Sequence, residues 1–188
     1  FQLDTWFGVW MSVYWLQNLA YSFKLKHVVI VDVMMIALGF VLRVGAGVVL
    51  VDVKRFSPWL YMCVTLGALF IGLGKRRHEL SLLEENANTH RAVLDHYNLP
   101  LIDWMIATVA SSTIVAYSLY TFSAPDLPAN NLMMLTVPFV IYGIFRYLYL
   151  IHVEGKGGAP DELIYKDGPL FLTAMFWASS AVLILYLA

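Results

Sequence analysis

The chain has 188 residues, 60% of them hydrophobic and 13% charged, with a formal charge of −1 and a mean hydropathy of +0.70. A water-soluble domain carries about 25% charged residues to cover its surface, so this composition excludes an ordinary soluble fold and makes lipid the main solvent. The near-neutral charge, with no basic run interleaved with aromatic residues, removes the electrostatic case for nucleic acid.

Six apolar runs are long enough to cross a hydrocarbon core of about 30 Å, which needs about 20 residues per helix. In chain order they are Asp4 to Ala20, Val28 to Leu50, Ser57 to Gly74, Leu101 to Phe122, Asn131 to Ile151 and Gly168 to Ala188. They are apolar throughout, whereas barrel strands alternate lipid-facing and lumen-facing residues, so the expected fold is all-α: a polytopic transmembrane bundle of about six helices. We expect one membrane domain over residues 1–188. The chain opens on Phe1-Gln2-Leu3-Asp4, with no initiator Met, no basic n-region and no small-residue cleavage site, and runs directly into a span. We therefore expect sequence to precede it. The one cysteine, Cys63, lies inside an apolar run and is expected to pack there.

Basic residues fall unevenly between the loops. The first, third and fifth carry Lys24 and Lys26, then Lys75, Arg76, Arg77 and Arg91, then Lys156 and Lys166; the second carries Lys54 and Arg55, and the fourth none. This asymmetry places the odd loops in the cytoplasm. Trp59, Trp104, Tyr120, Tyr147 and Tyr149 fall near helix ends, where amphipathic rings favour the headgroup zone. Gly39, Gly45, Gly47, Gly67, Gly72 and Gly74 are expected at close helix contacts.

Polar chemistry gathers in three loops and one helix. Tyr21-Ser22-Phe23-Lys24-Leu25-Lys26-His27 is either a short anchored turn or the lining of a polar cavity. Asp32 and Arg43 lie within the second span, where ionisable groups are costly and are functional candidates. They are separated by about 16 Å along the axis and cannot pair with each other. Asp32 is close enough to the cytoplasmic end to snorkel, whereas Arg43 is expected to make an inward-facing polar contact. Lys75-Arg76-Arg77-His78-Glu79-Leu80 leaves the third span and begins a long polar segment, charge-neutral overall, with the cations grouped at the membrane and most of the acids, Glu84, Glu85 and Asp95 among them, further along. Two readings are open: a positive-inside anchor in which Lys75 pairs with Glu79 one turn on, or a site where clustered cations bind phosphate or diphosphate and a carboxylate helps hold a metal. The fifth loop, His152 to Leu163, is rich in Gly, with Asp161-Glu162 placed to open a short helix after Pro160. It lacks the Gly-Lys-Ser/Thr ending of a Walker loop and is expected to close over the cytoplasmic face.

Taken together, Ala20 to His27, Gly39-Phe40-Val41-Leu42-Arg43 with Ala46-Gly47, Gly74-Lys75-Arg76-Arg77-His78-Glu79-Leu80, and more weakly Arg146-Tyr147 and Gly157 to Glu162, resemble the UbiA superfamily, and within it decaprenyl-phosphate phosphoribosyltransferases. The resemblance implies a nine-helix bundle of which this chain matches the last six, the N-terminal three lying upstream. It also implies transfer of 5-phosphoribose from phosphoribosyl diphosphate to a polyprenyl phosphate, dependent on Mg2+, as a step of cell wall biosynthesis at the bacterial inner membrane with the active side cytoplasmic.

The family's Asp-rich first motif, which carries most of its metal ligands, is not found in this sequence and is expected upstream. On this reading Lys75, Arg76 and Glu79 are the catalytic candidates. Tyr21, Lys24, Lys26, Lys75, Arg76 and Arg77 bind the diphosphate and phosphate, Asp32 and Arg43 support them, and Glu79 contributes to the metal. The alternatives are prenyl transfer to an aromatic or other acceptor, and a non-enzymatic membrane scaffold or transporter subunit. Glu79 has no carboxylate four residues to either side, unlike the second Asp-rich motif of prenyl-transferring relatives, which favours phosphoribosyl transfer.

Overall fold

The apolar runs become helices in the computed structural model, which describes residues 5–50, 57–85, 94–125, 127–128 and 130–187. Seven α-helices follow in chain order: α1 (Thr5–Phe23), α2 (Val31–Leu50), α3 (Pro58–Glu85), α4 (Leu99–Ser123), α5 (Val137–His152), α6 (Pro160–Lys166) and α7 (Gly168–Leu187). Single 3-10 turns cover Leu25–His27 and Leu94–His96, and a longer one, Leu132–Thr136, leads straight into α5. No strand occurs among the described residues.

Five segments are long and apolar enough to cross a membrane: Val31–Leu50, Pro58–Leu82, Leu99–Ser123, Leu132–His152 and Gly168–Tyr186. The first expected span is also a helix, α1, but Trp6, Trp10, Tyr14 and Trp15 with the amides Gln17 and Asn18 lower its hydropathy below that of the other five. It packs along α2, where Gln17 Nε2 donates to the Met35 carbonyl at 2.9 Å.

Local sequence explains where these helices start and stop. Asn98 caps α4, its Oδ1 accepting from the Leu101 amide at 2.8 Å, with Pro100 in the first turn where a missing N–H costs nothing. Asp167 does the same for α7, accepting from the Leu170 amide at 2.9 Å. Gly155 ends the turn after α5 with φ +65°, a conformation open to glycine at no steric cost, and the Lys156 amide thereby reaches back to the Leu150 carbonyl at 2.9 Å.

The main helix packings are α1 on α2, α2 on α3, α3 on α4 and α5 on α7, with α5 also touching α3 and α4. Core side chains such as Leu73, Ile102, Ile106, Leu150 and Ile151 are sealed at 0–2% exposure, at the meeting of α3, α4 and α5. Outward faces are apolar instead: Trp104, Leu135, Phe145 and Phe176 are 75, 65, 59 and 58% exposed, as expected when the solvent is lipid.

Of the six glycines assigned to close packing, three are so placed. A Cβ on Gly45 would lie 2.8 Å from the Trp10 ring, one on Gly74 2.5 Å from the Tyr147 hydroxyl, and one on Gly39 3.5 Å from Gln17 Oε1. Gly47, Gly67 and Gly72 have nothing within 4 Å. Tyr147 is buried against Phe70, ring centroids 5.0 Å apart.

Candidate functional site

The chemistry-bearing side chains meet where α2 begins, α3 leaves its apolar stretch, α4 begins and α5 ends. α3 does not stop at Gly74: it continues as one helix to Glu85, so Lys75, Arg76, Arg77, His78 and Glu79 stand on a regular helical surface and point in different directions. Arg76 faces inward and is 3% exposed, and its Nε donates to Asp32 Oδ2 at 3.0 Å; Asp32 is wholly buried. Nη1 of the same guanidinium pairs with Glu79. The acid on this face is therefore met by Arg76, three residues back, where Lys75 had been the expected partner.

Asp32 is not a snorkelling residue. Its other oxygen, Oδ1, accepts from the Tyr97 hydroxyl at 3.0 Å, and that hydroxyl accepts from the Ile30 amide at 2.6 Å. Burial, with a further contribution from the Asp32 charge, pushes the Tyr97 phenol up to about 12, so it stays a donor at any physiological pH. One buried network thus joins the end of the first loop, the start of α2, the polar end of α3 and the segment returning from the third loop. A carboxylate with a guanidinium and a phenol satisfies the rule that buried charge must be paired and hydrogen-bonded.

Arg77 points to the other side. Its Nε donates to Asp103 Oδ1 at 2.7 Å and its Nη1 to the Ile151 carbonyl at 2.9 Å, one of the last carbonyls of α5. His152 joins the same carboxylate, Nε2 lying 3.2 Å from Asp103 Oδ1, while Nδ1 lies 3.0 Å from the Leu148 carbonyl. A further ion pair closes the fifth loop: Arg146 grips Asp167 with Nε at 3.1 Å and Nη2 at 2.7 Å, a two-pronged contact that holds the Asp167 carboxyl below the usual carboxylate range.

Three cations are not consumed by these pairs. Lys75 and Lys24 are exposed and Lys26 is partly so, and the side chains of these three lysines make no hydrogen bond or ion pair among the described residues. Against α3, the Gly157-Gly158 turn sits directly on His78: a Cβ on Gly157 would lie 2.9 Å from His78 Cβ and one on Gly158 2.7 Å from Nε2. The fifth loop therefore does lie over the basic segment. Between them is a cavity of about 490 Å³ lined by His78, Lys156, Gly158, Glu162, Lys166 and Asp167. Lys156 pairs there with Glu154 at 2.6 Å and Lys166 with Glu162 across one turn of α6, the helix expected after Pro160.

Tyr21 and Arg43 share a separate cavity of about 210 Å³ between α1 and α2, with Gln17, Asn18, Gly39 and Phe40. Arg43 makes the expected polar contact, its Nη2 donating to the Tyr14 hydroxyl, and stacks over the Tyr14 and Phe40 rings at 4.9 and 5.1 Å, yet it remains exposed on the helix surface. Lys54, Arg55 and Arg91, used for orientation, lie outside the described residues, as do the side chains of Glu84, Glu85 and Asp95.

The described residues contain no group of three His, Cys, Asp or Glu side chains able to hold a metal ion. Glu79, the candidate ligand, has its carboxylate against Arg76. On their own these residues do not fit a magnesium site.

Tyr97, Asp103, His152 and Asp167 organise the site but were not singled out in the sequence. Asp103 was accessible, since it is an ionisable residue inside the Leu101 to Phe122 run, the same signal that marked Asp32. Tyr97 carries no such signal.

No family model matches the chain. Three curated proteins, each named decaprenyl-phosphate phosphoribosyltransferase, are similar to it. That of Mycolicibacterium smegmatis is 33% identical over 178 residues, covering 89% of this chain and 54% of the relative. That of Corynebacterium glutamicum is 31% identical over 182 residues, 94% and 53%. That of Mycobacterium tuberculosis is 29% identical over 171 residues, 90% and 55%. The chain spans about half the length of the curated relatives it matches.

Proposed function

We propose that the chain forms part of an intramembrane transferase of the UbiA superfamily, on its similarity to decaprenyl-phosphate phosphoribosyltransferases. In this reaction 5-phosphoribose passes from phosphoribosyl diphosphate to a polyprenyl phosphate. The observation that carries this reading is similarity over about nine tenths of the chain to three relatives named decaprenyl-phosphate phosphoribosyltransferase.

The chemistry asks little of a general base. A phosphate monoester is mostly dianionic near neutral pH, its second pKa being about 6, so its oxygen attacks the anomeric carbon of the ribose as the bond to the leaving diphosphate breaks. The catalytic demand is charge on the diphosphate, which preorganised cations supply. Lys75, Lys24 and Lys26 are the cations left uncommitted to supply it, with Tyr21 nearby on α1. Arg76 and Arg77, spent on Asp32, Glu79 and Asp103, set the position of the stretch of α3 from which Lys75 projects.

Mg2+ belongs to this proposal as a requirement of the full-length protein, with its main ligands outside the described residues. So do an inner-membrane location, a cytoplasmic active side and a role in cell wall biosynthesis. The lack of a second Asp-rich motif around Glu79 speaks for phosphoribose over a prenyl group as the transferred unit.

The test is radiolabelled phosphoribosyl diphosphate with polyprenyl phosphate and full-length protein in membranes. Lipid-linked phosphoribose is the expected product. Lys75→Ala should raise KM for phosphoribosyl diphosphate about tenfold, the loss of one charge-assisted hydrogen bond of about 1.5 kcal/mol. Product from isoprenyl diphosphate instead, or unchanged kinetics in all of Lys75→Ala, Lys24→Ala and Lys26→Ala, would overturn the assignment.

A further inference from the structure

Ile30 is a β-branched residue with φ +68°, in the left-handed region that such side chains rarely occupy. It is also exposed, so packing of its side chain does not hold it there. Its backbone amide donates to the Tyr97 hydroxyl at 2.6 Å, and its carbonyl accepts from the Met34 amide at 3.1 Å in the first turn of α2. That hydroxyl in turn donates to Asp32 Oδ1, and Asp32 is locked by Arg76. Tyr97 is 7% exposed and lies 67 residues along the chain from Ile30, in the segment returning from the third loop. A single phenol therefore joins the last residue before α2 to Asp32 in its first turn, and through Asp32 to Arg76 of α3.

We propose that Tyr97 is a positioning residue for the phosphoribosyl transfer proposed above: by holding the Ile30 backbone in its left-handed conformation it fixes the Leu25–His27 turn, with Lys24 and Lys26, relative to Lys75. The inference rests on that functional reading for its substrate but on the hydrogen bonds for its mechanism. Turn and α3 are otherwise joined through α2, by the Asp32 amide bond to the Val28 carbonyl at 3.0 Å and the Asp32–Arg76 pair, and no side-chain bond runs from Lys24 or Lys26 to the Lys75–Arg77 segment among the described residues. Without the hydroxyl, the Ile30 amide loses its partner, and the steric cost of positive φ at a β-branched residue drives it toward negative φ. The two lysines then swing with the turn, and binding of the diphosphate weakens while the chemical step, once substrate is bound, is little changed.

The experiment uses full-length protein in lipid nanodiscs. Tyr97→Phe keeps the ring and removes the hydroxyl. KM for phosphoribosyl diphosphate is expected to rise about tenfold with kcat within about twofold, and amide exchange in the peptide over residues 24–32 to accelerate about tenfold. A second substitution supplies the diagnostic. Glycine takes positive φ without help, so Ile30→Gly in the Tyr97→Phe background should return KM to within about threefold of wild type, and Ile30→Gly alone should leave it unchanged.

A role in general stability predicts a lower active fraction with unaltered KM and no rescue by glycine; either result overturns the proposal, as does unaltered exchange in Tyr97→Phe. If the wild type makes no lipid-linked phosphoribose, the functional reading fails by itself. The exchange data then still decide whether Tyr97 holds the turn.

Discussion

The Asp32–Arg76 pair is the place where a single atom's change should be felt most. Two opposite charges about 4 Å apart interact by about 4 kcal/mol at an effective dielectric of 20, and breaking a buried pair from one side costs about 3–5 kcal/mol. Asp32 is fully buried and Arg76 nearly so, but Arg76 keeps Glu79 when Asp32 is neutralised. Asp32→Asn should therefore cost about 3 kcal/mol. Arg76→Met, which leaves the Asp32 carboxylate buried with only Tyr97, should cost about 4 kcal/mol.

In the double variant both charges are gone, so its cost should fall short of the sum by about 2–3 kcal/mol. Unfolding of the protein in mixed detergent micelles, read by tryptophan fluorescence, gives all three values. Additivity within about 0.5 kcal/mol would show that the two groups do not interact as described.

Two further outcomes follow from the fifth loop. Gly157→Ala places a methyl against His78 Cβ and the Gly74 carbonyl, neither of which can swing aside, and should lower stability by about 1–3 kcal/mol. Gly158→Ala meets only the movable imidazole and should cost less, and in a His78→Ala background almost nothing; thermal melts of the four proteins check this. Arg146 depresses the Asp167 carboxyl, so the stability this contact contributes is fully present above the ordinary carboxylate pKa of about 4. It is lost as pH falls through the lower folded value. Stability measured from pH 7 downward should show an acid limb that flattens in Asp167→Asn.

How much of this could be read in advance differs from residue to residue. The span Gly168 to Ala188 matches α7 to a residue in the described chain, because an apolar run bounded by Asp167 and led by Pro169 leaves few other choices. The run ending at Gly74 was read too short, since hydropathy registers where lipid ends, while the helix runs on as far as its backbone bonds are satisfied, here to Glu85. The candidate cations were visible as a cluster, but a linear cluster does not say which members face inward. At about 100° per residue, adjacent Arg76 and Arg77 diverge to Asp32 and Asp103, 71 positions apart in sequence, and only the packing of α2 and α4 on α3 reveals it. Tyr97 was beyond reach for the same reason: its partner atoms are a backbone amide and a carboxylate that only tertiary structure brings to it.

The 28 residues of α3 form one rod of about 42 Å, longer than the hydrocarbon core of about 30 Å. Rod and bilayer together act as a depth gauge. Where the apolar part floats in the membrane sets the height at which Lys75 stands above it, without any adjustable loop in between. Thinner or thicker lipid should tilt or shift that rod and change the level at which a lipid-borne phosphate meets the cation. A turnover that varies with acyl-chain length, at constant headgroup, is what such a gauge would look like from outside.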